Sequence, residues 1–342
     1  MEKIKVLIAG LAGASLGTEL AKSLSKFDYY QLYGCDVSNL AFGLYMDIFE
    51  DSFIADKDDY VNSIINYCVD KNILFVLPGG EQPTILLSAE FDKFKALGIT
   101  LLANNQNVVK LFSDKATTFT HLGALGFPIP WTTQINNTDT INPQSLPCIV
   151  KPAKDTGGSD SVFIASTIEE CNLYVELLRS NNKIPILQEY INLDEGEFTV
   201  GVLSNLSGEV MGSIAMKRVF NSKLSVSYKG EKGLISSGYS QGLISDFKEI
   251  RNQAEEIARK SKSTGPLNIQ GRVKKGVLIP FEINPRFSAS TYLRSMTGFD
   301  EVDVFIRSIK YGITSFDWKL KEGYYMRTFD QTFIPIENLK NQ

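Results

Sequence analysis

The sequence predicts an α/β chain, with a doubly wound domain first and a part built on hairpins after it. Three observations carry this. Through residues 5–103, short apolar runs alternate with helical periods, the pattern of parallel strands joined by crossover helices. The first run, Lys5-Val6-Leu7-Ile8-Ala9, ends at a glycine turn that opens a helix, the first unit of a doubly wound fold. Further on, two strand pairs are joined by tight turns, one through residues 205–208 and one through Lys274-Lys275-Gly276.

The chain has 342 residues, enough for two or three domains with substantial cores. Its hydrophobic fraction of 43% and charged fraction of 22% are those of an ordinary globular protein. A formal net charge of −4 argues against nucleic acid as the main partner, so any positive charge must act locally. The four cysteines are widely spaced with no CxxC pair, which fits reduced thiols better than disulfides or zinc. A single histidine, His121, excludes His-based zinc sites and Ser-His-Asp triads and reads as a packed or surface residue. Residues 1–9 lack a cleavage region, and no stretch is long and apolar enough to span a membrane. The expectation is a cytoplasmic protein.

In order, strand 5–10 is followed by a helix containing Leu20, Ala21 and Leu24, then by a strand 32–36 ending in Asp36. The spacing of Gly10, Gly13 and Gly17 is not GxGxxG, so a dinucleotide reading of this turn stays weak. A helix 60–70, a strand 73–77, a helix 83–97 and a short strand 100–103 complete the parallel set. Ligands of such sheets sit beyond the carboxyl ends of the strands, so Gly10, Asp36 and Glu81 would face one crevice. Glu81 reads equally as a helix N-terminal acid stabilised by the dipole.

Ser113 is expected to cap a helix that stops at Gly126, and Pro128 and Pro130 mark a boundary. Residues 146–152 form a strand whose last polar residue is Lys151. The loop Thr156-Gly157-Gly158-Ser159-Asp160-Ser161 follows, and its small residues let backbone N–H groups turn towards an anion. Ser166 and Glu169 have capping-box spacing for a helix 166–180. A strand 184–187 runs into Gln188-Glu189-Tyr190-Ile191. Glu197 heads another strand, which pairs with 209–216. Helix 246–260 carries Phe247, Ile250, Ala254 and Ile257 on one face. Helix 299–311 and a mixed tail end the chain.

The most informative stretch is the second hairpin, 265–273 with 277–284. Alternation along a strand places Glu282 and Asn284 on one face, about 7 Å apart, with Leu278 and Pro280 beside them and Val277, Ile279, Phe281 and Ile283 opposite. Pairing Val273 with Val277 sets Asn268 opposite Glu282 and Gln270 opposite Pro280. Four oxygen-bearing side chains would then share a face while the other face is core. Hard oxygen donors of this kind suit Mg²⁺, which leaves room for phosphate oxygens. Pro285 ends the strand, and Arg286 follows as a planar fork for phosphate or carboxylate.

Lys115, Lys151, the glycine loop, Gln188 to Ile191, Glu197, Gln270 and Glu282-Ile283-Asn284-Pro285-Arg286-Phe287-Ser288, taken together and in this order, resemble the ATP-grasp superfamily, closest to the carbamoyl phosphate synthetase large-chain branch. The resemblance covers nearly the whole chain. It implies a Rossmann-like domain over 1–107 and an ATP-grasp domain of two α+β subdomains over 108–313. Within the latter a small lid would cover about 115–187 and a core about 188–313, with 314–342 as a tail. Lys115 and Lys151 resemble the cations that hold the α- and β-phosphates of ATP. Gly157, Gly158 and Ser159 match the loop over the β- and γ-phosphates. There Asp160 departs from the usual small neutral residue. Gln188, Glu189, Tyr190 and Ile191 match the adenine hinge and Glu197 the ribose acid. Glu282 and Asn284 match magnesium ligands, with Gln270 as a further one and Mn²⁺ as a substitute ion. Arg286, with Lys151, resembles the residues that steady the transferred phosphoryl group. Read from the residues alone, Lys115 could equally be a helix-surface lysine, Lys151 a strand-end lysine and Glu197 an edge-strand charge.

The implied activity is an ATP-dependent carboxylate–amine ligase working through an acyl phosphate and releasing ADP and phosphate. Alternatives are a carbamoyl-phosphate-synthetase-like or carboxyphosphate-forming enzyme, a silent Mg-ATP-binding protein, or an NAD-dependent oxidoreductase using the glycine turn. Phosphoryl transfer needs positioning and charge neutralisation more than covalent chemistry, in keeping with the missing His-based nucleophile. Lys217 and Arg218, with Glu81, are candidates for substrate contact, or Lys217-Arg218 is a solvated strand end. The expected partners are a small carboxylate and an amine, with a homodimer as an analogy to relatives.

Overall fold

The structure, a computed structural model, describes residues 2–12, 16–136, 141–154, 161–332 and 334–340. Its first part contains strand β1 (Ile4–Ala9), helix α1 (Leu16–Leu24), β2 (Tyr30–Asp36), β3 (Asp51–Ile54), α2 (Tyr60–Lys71), β4 (Phe75–Pro78), α3 (Glu81–Ala89), α4 (Phe91–Ala96) and β5 (Thr100–Leu101). The strands form a parallel sheet ordered β3-β2-β1-β4-β5, as the alternation predicts. Strand order reverses beside β1, so the ends of β1 and β4 form the switch point. The single helix expected over 83–97 is two, because Glu90 leaves helical geometry and serves as cap to both.

Helices α5 (Gln106–Phe112) and α6 (Lys115–Ala124) follow. Ser113 does not begin the second helix. Its hydroxyl donates to the Val109 carbonyl at 2.7 Å and closes α5. Asp114 caps α6 instead, accepting from the Thr117 N–H at 2.7 Å, where a carboxylate also suits the helix dipole. Gly126, with φ of +80°, ends the turn after α6 as expected.

A four-stranded antiparallel sheet comes next: β6 (Thr132–Gln134), β7 (Cys148–Pro152), β8 (Phe163–Ala165) and, after helix α7 (Ile168–Ser180), β9 (Pro185–Glu189), ordered β6-β9-β7-β8. Cys171, Val175 and Leu178 of α7 pack on Cys148, Val150 and Leu187. The α7 cap is Thr167, one residue later than expected, and Glu170 turns back to the Ser166 N–H at 2.9 Å.

The remaining elements are β10 (Glu197–Ser204), β11 (Val210–Arg218), β12 (Val226–Gly230), β13 (Gly233–Ser236), β14 (Gly242–Ile244), α8 (Lys248–Lys260), β15 (Pro266–Lys274), β16 (Val277–Asn284), α9 (Thr291–Met296), α10 (Glu301–Tyr311) and β17 (Gly323–Tyr325). Six of the strands make a sheet ordered β16-β15-β10-β11-β14-β17, and β12 with β13 forms a separate hairpin. Every residue of β10 is buried, since it lies inside the sheet with both faces covered. Glu197 is therefore not an edge charge. One face carries Phe198, Val200, Val202, Leu267 and Ile269 against Ile250, Ala254 and Ile257 of α8, the apolar face read from the sequence. Phe119 and Leu122 of α6 join this same core. The tail contributes β17 to the large sheet through β14. Among the described residues no helix is long and apolar enough to cross a membrane.

The β15–β16 hairpin differs from expectation in register. Lys274 pairs with Val277, Gln270 with Glu282 and Asn268 with Asn284, and the register shifts between Gln270 and Gly271. Phe281 is the extra residue, a bulge on β16. Strict alternation fails there, so Leu278 and Ile283, expected on opposite faces, lie in one core cluster. Gly271 is required opposite the bulge, because a Cβ there would stand 2.7 Å from the Ile279 carbonyl oxygen.

Candidate functional site

A cleft lies between the four-stranded sheet and one end of the large sheet. Lys115, Lys151, Gln188, Glu189, Tyr190, Ile191, Glu197 and Glu282 all line it. Lys115 is the first residue of α6, and its N–H donates to the Ala153 carbonyl at 3.1 Å, which ties that helix end to the strand carrying Lys151.

Lys151 is 5% exposed. Its Nζ donates to Gln188 Oε1 at 2.8 Å and to the Phe281 carbonyl at 3.1 Å. The bulge thus supplies a ladder-free carbonyl across the cleft. Gln188 is itself oriented, since its Nε2 donates to Thr132 Oγ1 at 3.0 Å. Burial, reinforced by the Lys115 ammonium and opposed by Glu282, pushes the Lys151 ammonium down to about 7.

On the polar face of the hairpin, Gln270 Nε2 donates to Glu282 Oε2 at 2.7 Å. Arg286 folds back, donating to the Phe287 carbonyl at 2.9 Å and to Asn284 Oδ1 at 3.3 Å. The four oxygen-bearing residues do not form one cluster, however. Asn268 Oδ1 accepts from Arg294 at 2.7 Å and from Thr199 at 2.9 Å, in a buried network with Glu301. Glu81, at the start of α3, lines a recess with Asn284 and Arg286. Burial lowers the Arg286 guanidinium, and the charges of Glu81 and Glu282 oppose that shift.

Glu197 is fully buried between two cations, accepting from Arg218 Nη1 at 3.1 Å and Arg272 Nε at 3.0 Å. Arg218 also donates to the Ser237 carbonyl at 2.8 Å. Lys217 points the other way on β11, with its ammonium over the Phe198 ring. Lys217 and Arg218 therefore do not act as a pair. Gly157, Gly158, Ser159 and Asp160 lie outside the described residues.

Sequence reasoning missed Arg272. Its guanidinium reaches the Ile191 carbonyl at 2.6 Å and the Leu234 carbonyl at 2.7 Å, and lies over the Tyr190 ring. It braces the 188–191 segment, β10 and β13 together. A signal was present: Asn268, Gln270 and Arg272 share a strand face by period two.

The donor set can be tested against a metal. Among the described residues no group of three His, Cys, Asp or Glu could hold one. Glu282 offers one carboxylate, and Gln270 and Asn284 offer amide oxygens. These are hard, sparse ligands. They fit a magnesium ion that brings phosphate oxygens and water with it, not a zinc site.

The N-terminal glycines have a packing reason. Gly17 N–H donates to the Gly79 carbonyl at 3.0 Å, and a Cβ at Gly17 or Gly79 would stand 1.8 or 2.0 Å from the Gly10 carbonyl oxygen. Asp36 holds the turn, accepting from the Leu11 N–H at 2.6 Å and the Ser38 N–H at 3.0 Å. A carboxylate committed to the turn speaks against the dinucleotide reading.

Residues 112–290 match the profile described as ATP-grasp domain. A curated relative, the carbamoyl phosphate synthase large chain of Methanosarcina barkeri, is 28% identical over 220 residues, 62% of this chain and 20% of that protein. The chain thus spans about a fifth of the length of the curated relatives it matches. Among solved structures, the ADP complex of N5-carboxyaminoimidazole ribonucleotide synthetase is similar with a TM-score of 0.66 and 14% identity, covering 90% of this chain and 77% of that one. The D-alanine–D-alanine ligase of Bacillus anthracis, complexed with ATP, is similar with a TM-score of 0.60 and 16% identity, covering 91% of this chain and 98% of that one.

Proposed function

The chain belongs to the ATP-grasp family, and from that premise we propose that it is an ATP-dependent carboxylate–amine ligase. The carrying observation is that Lys115, Lys151, Gln188 to Ile191, Glu197 and Glu282, scattered over about half of the sequence, line one cleft. In this reading the adenine lies against the apolar wall near Ile191 and Leu234, with the 188–191 backbone as its hydrogen-bonding edge. Glu197 faces the ribose, its charge balanced by Arg218 and Arg272. Lys115 and Lys151 hold the α- and β-phosphates, and the glycine loop at Gly157, Gly158 and Ser159 covers the rest. Lys151 is held on target by Gln188 and the Phe281 carbonyl.

Gln270, Glu282 and Asn284 would hold magnesium, which would neutralise charge on the terminal phosphates when bound. Arg286, beside Asn284, would steady the phosphoryl group as it passes to a substrate carboxylate. Glu81, which lines a recess with Arg286, would position that guanidinium or a substrate. The product is an amide or peptide-like bond, with ADP and phosphate released. The likeness in fold to D-alanine–D-alanine ligase supports this reading. A carboxyphosphate-forming reaction is the second reading, supported by the curated relatives.

The test is a phosphate-release screen of amines paired with small carboxylates in the presence of Mg-ATP. The reading expects release only when carboxylate and amine are both present, and Glu282→Ala abolishing it. Release with bicarbonate alone would favour the second reading. Mg-ATP binding with no release from any pair would favour a silent binding protein.

A further inference from the structure

One wall of the nucleotide cleft is set by a single side chain. Arg272, on β15, is buried and lines the cleft beside Tyr190, Ile191 and Leu234. Its Nε donates to Glu197 Oε2 at 3.0 Å, its Nη1 to the Ile191 carbonyl at 2.6 Å and its Nη2 to the Leu234 carbonyl at 2.7 Å. Three elements that are far apart in sequence, β10, the 188–191 segment and β13, thus meet on one planar fork. The guanidinium carbon also stands 5.0 Å from the centre of the Tyr190 ring. The junction is closed from a second side. Tyr190 Oη accepts from the Leu234 N–H at 3.0 Å, so Leu234 is held through both of its backbone groups. Gly233, with φ of +135°, makes room for that hydroxyl, because a Cβ there would stand 2.2 Å from it. Two residues back on the same strand, Gln270 serves the Glu282 end of the cleft instead.

We propose that Arg272 is the positioning residue through which this cleft selects its purine base. A loop peptide that is free to turn can offer a ligand either its N–H or its C=O. A carbonyl held at 2.6 Å by a charged donor fixes the orientation of its peptide. By pinning Ile191 directly, and Tyr190 through Leu234, Arg272 leaves the 188–191 backbone one pattern of donors and acceptors to turn towards a base. Adenine presents an N6–H donor beside the N1 acceptor. Hypoxanthine presents the reverse, an O6 acceptor beside an N1–H donor. A segment fixed to pair with the first edge sets donor against donor and acceptor against acceptor on the second, and leaves those buried groups unpaired. The inference rests on the reading of the cleft as a nucleotide site, and deepens it by naming the side chain that sets its base preference.

Equilibrium titration of the full chain with ADP, IDP and pyrophosphate, each with Mg²⁺, is the test. IDP differs from ADP only in the reversed base edge, and pyrophosphate lacks the base altogether. Wild type should bind ADP at least about tenfold more tightly than IDP. Arg272→Lys keeps a counter-charge for Glu197 but cannot span both carbonyls. It should reduce the preference to about threefold or less while changing pyrophosphate affinity by less than about twofold. Gly233→Ala reaches the same junction through Tyr190 with Arg272 left in place, and should lower the preference in the same direction. An Arg272 that served only to hold the fold together would weaken all three ligands alike. A ratio of ADP to IDP affinity that is unchanged in the folded variants therefore overturns the proposal, as does a wild type with no preference between the two. Wild type that binds neither nucleotide overturns the nucleotide reading itself, and this inference with it.

Discussion

At the scale of single residues, the behaviour of Lys151 follows from its surroundings. An ammonium buried beside Lys115 loses much of its preference for charge, and its value falls to about 7. Triphosphate oxygens would restore that preference, so nucleotide binding above neutral pH should take up a proton. The sign is fixed: above about 7 the free protein holds Lys151 neutral, and affinity must fall as pH rises because binding first has to recharge it. Between pH 7 and 8.5, ADP affinity should fall by roughly tenfold per unit, the limit for one linked proton. Titrations in buffers of different ionisation enthalpy should show close to one proton taken up at pH 8, and Lys151→Met should remove that uptake. At this scale much was legible in sequence. Lys151, Gln188, Glu197 and Glu282 announce themselves as polar residues at strand ends or on the face of an otherwise apolar strand. The partners of Glu197 did not, because a buried Arg such as Arg272 looks in sequence like any surface arginine until strand pairing sets it beside the carboxylate at 3.0 Å.

At the scale of elements, the β15–β16 hairpin sets the site. Its bulge turns the Phe281 carbonyl to Lys151 while returning Ile283 to the core. Period-two reading cannot foresee an extra residue, which is why register and facing were misread there although the shared face of Gln270, Glu282 and Asn284 was found. Gly271→Val should push Ile279 and Leu278 aside. It should cost about 1–3 kcal/mol in chemical denaturation and weaken nucleotide binding as well, through loss of the Lys151 contact. The same sheet is anchored beside the site by Arg294, which bonds Glu301 at 3.3 Å and Asn268, the strand partner of Asn284, at 2.7 Å, all buried. Glu301→Ala leaves that guanidinium buried without its counter-charge and should cost about 3–5 kcal/mol. Arg259→Ala, which breaks a half-exposed pair with Glu255 on α8, should cost under about 1 kcal/mol. Denaturant midpoints at matched slopes separate the two. Strands β3, β6, β14 and β17, of three or four residues each, were not legible, since so short a run carries too few alternations to rise above a loop.

At the scale of the whole molecule, we propose the division read from sequence, with a parallel-sheet domain to about residue 107 and the family domain after it. The packing adds that α6 shares the core of the large sheet and that the tail completes its edge. The cleft therefore sits between two sheets joined by the Lys151 contact to the bulge, by Arg272 on the Ile191 carbonyl and by the Lys274–Glu189 pair. A ligand bridging both should stabilise the chain by mass action, about 2.7 kcal/mol at a hundredfold excess over Kd. The most direct measurement of the central claim is equilibrium binding of ADP to the whole chain with and without Mg²⁺, for wild type, Lys151→Met and Glu282→Ala. The account predicts binding by wild type, a loss of about tenfold or more on removing the Lys151 charge, and no dependence on Mg²⁺ once Glu282 is gone. Wild type that binds no nucleotide, or variants that bind it with unchanged affinity and unchanged magnesium dependence, would contradict it.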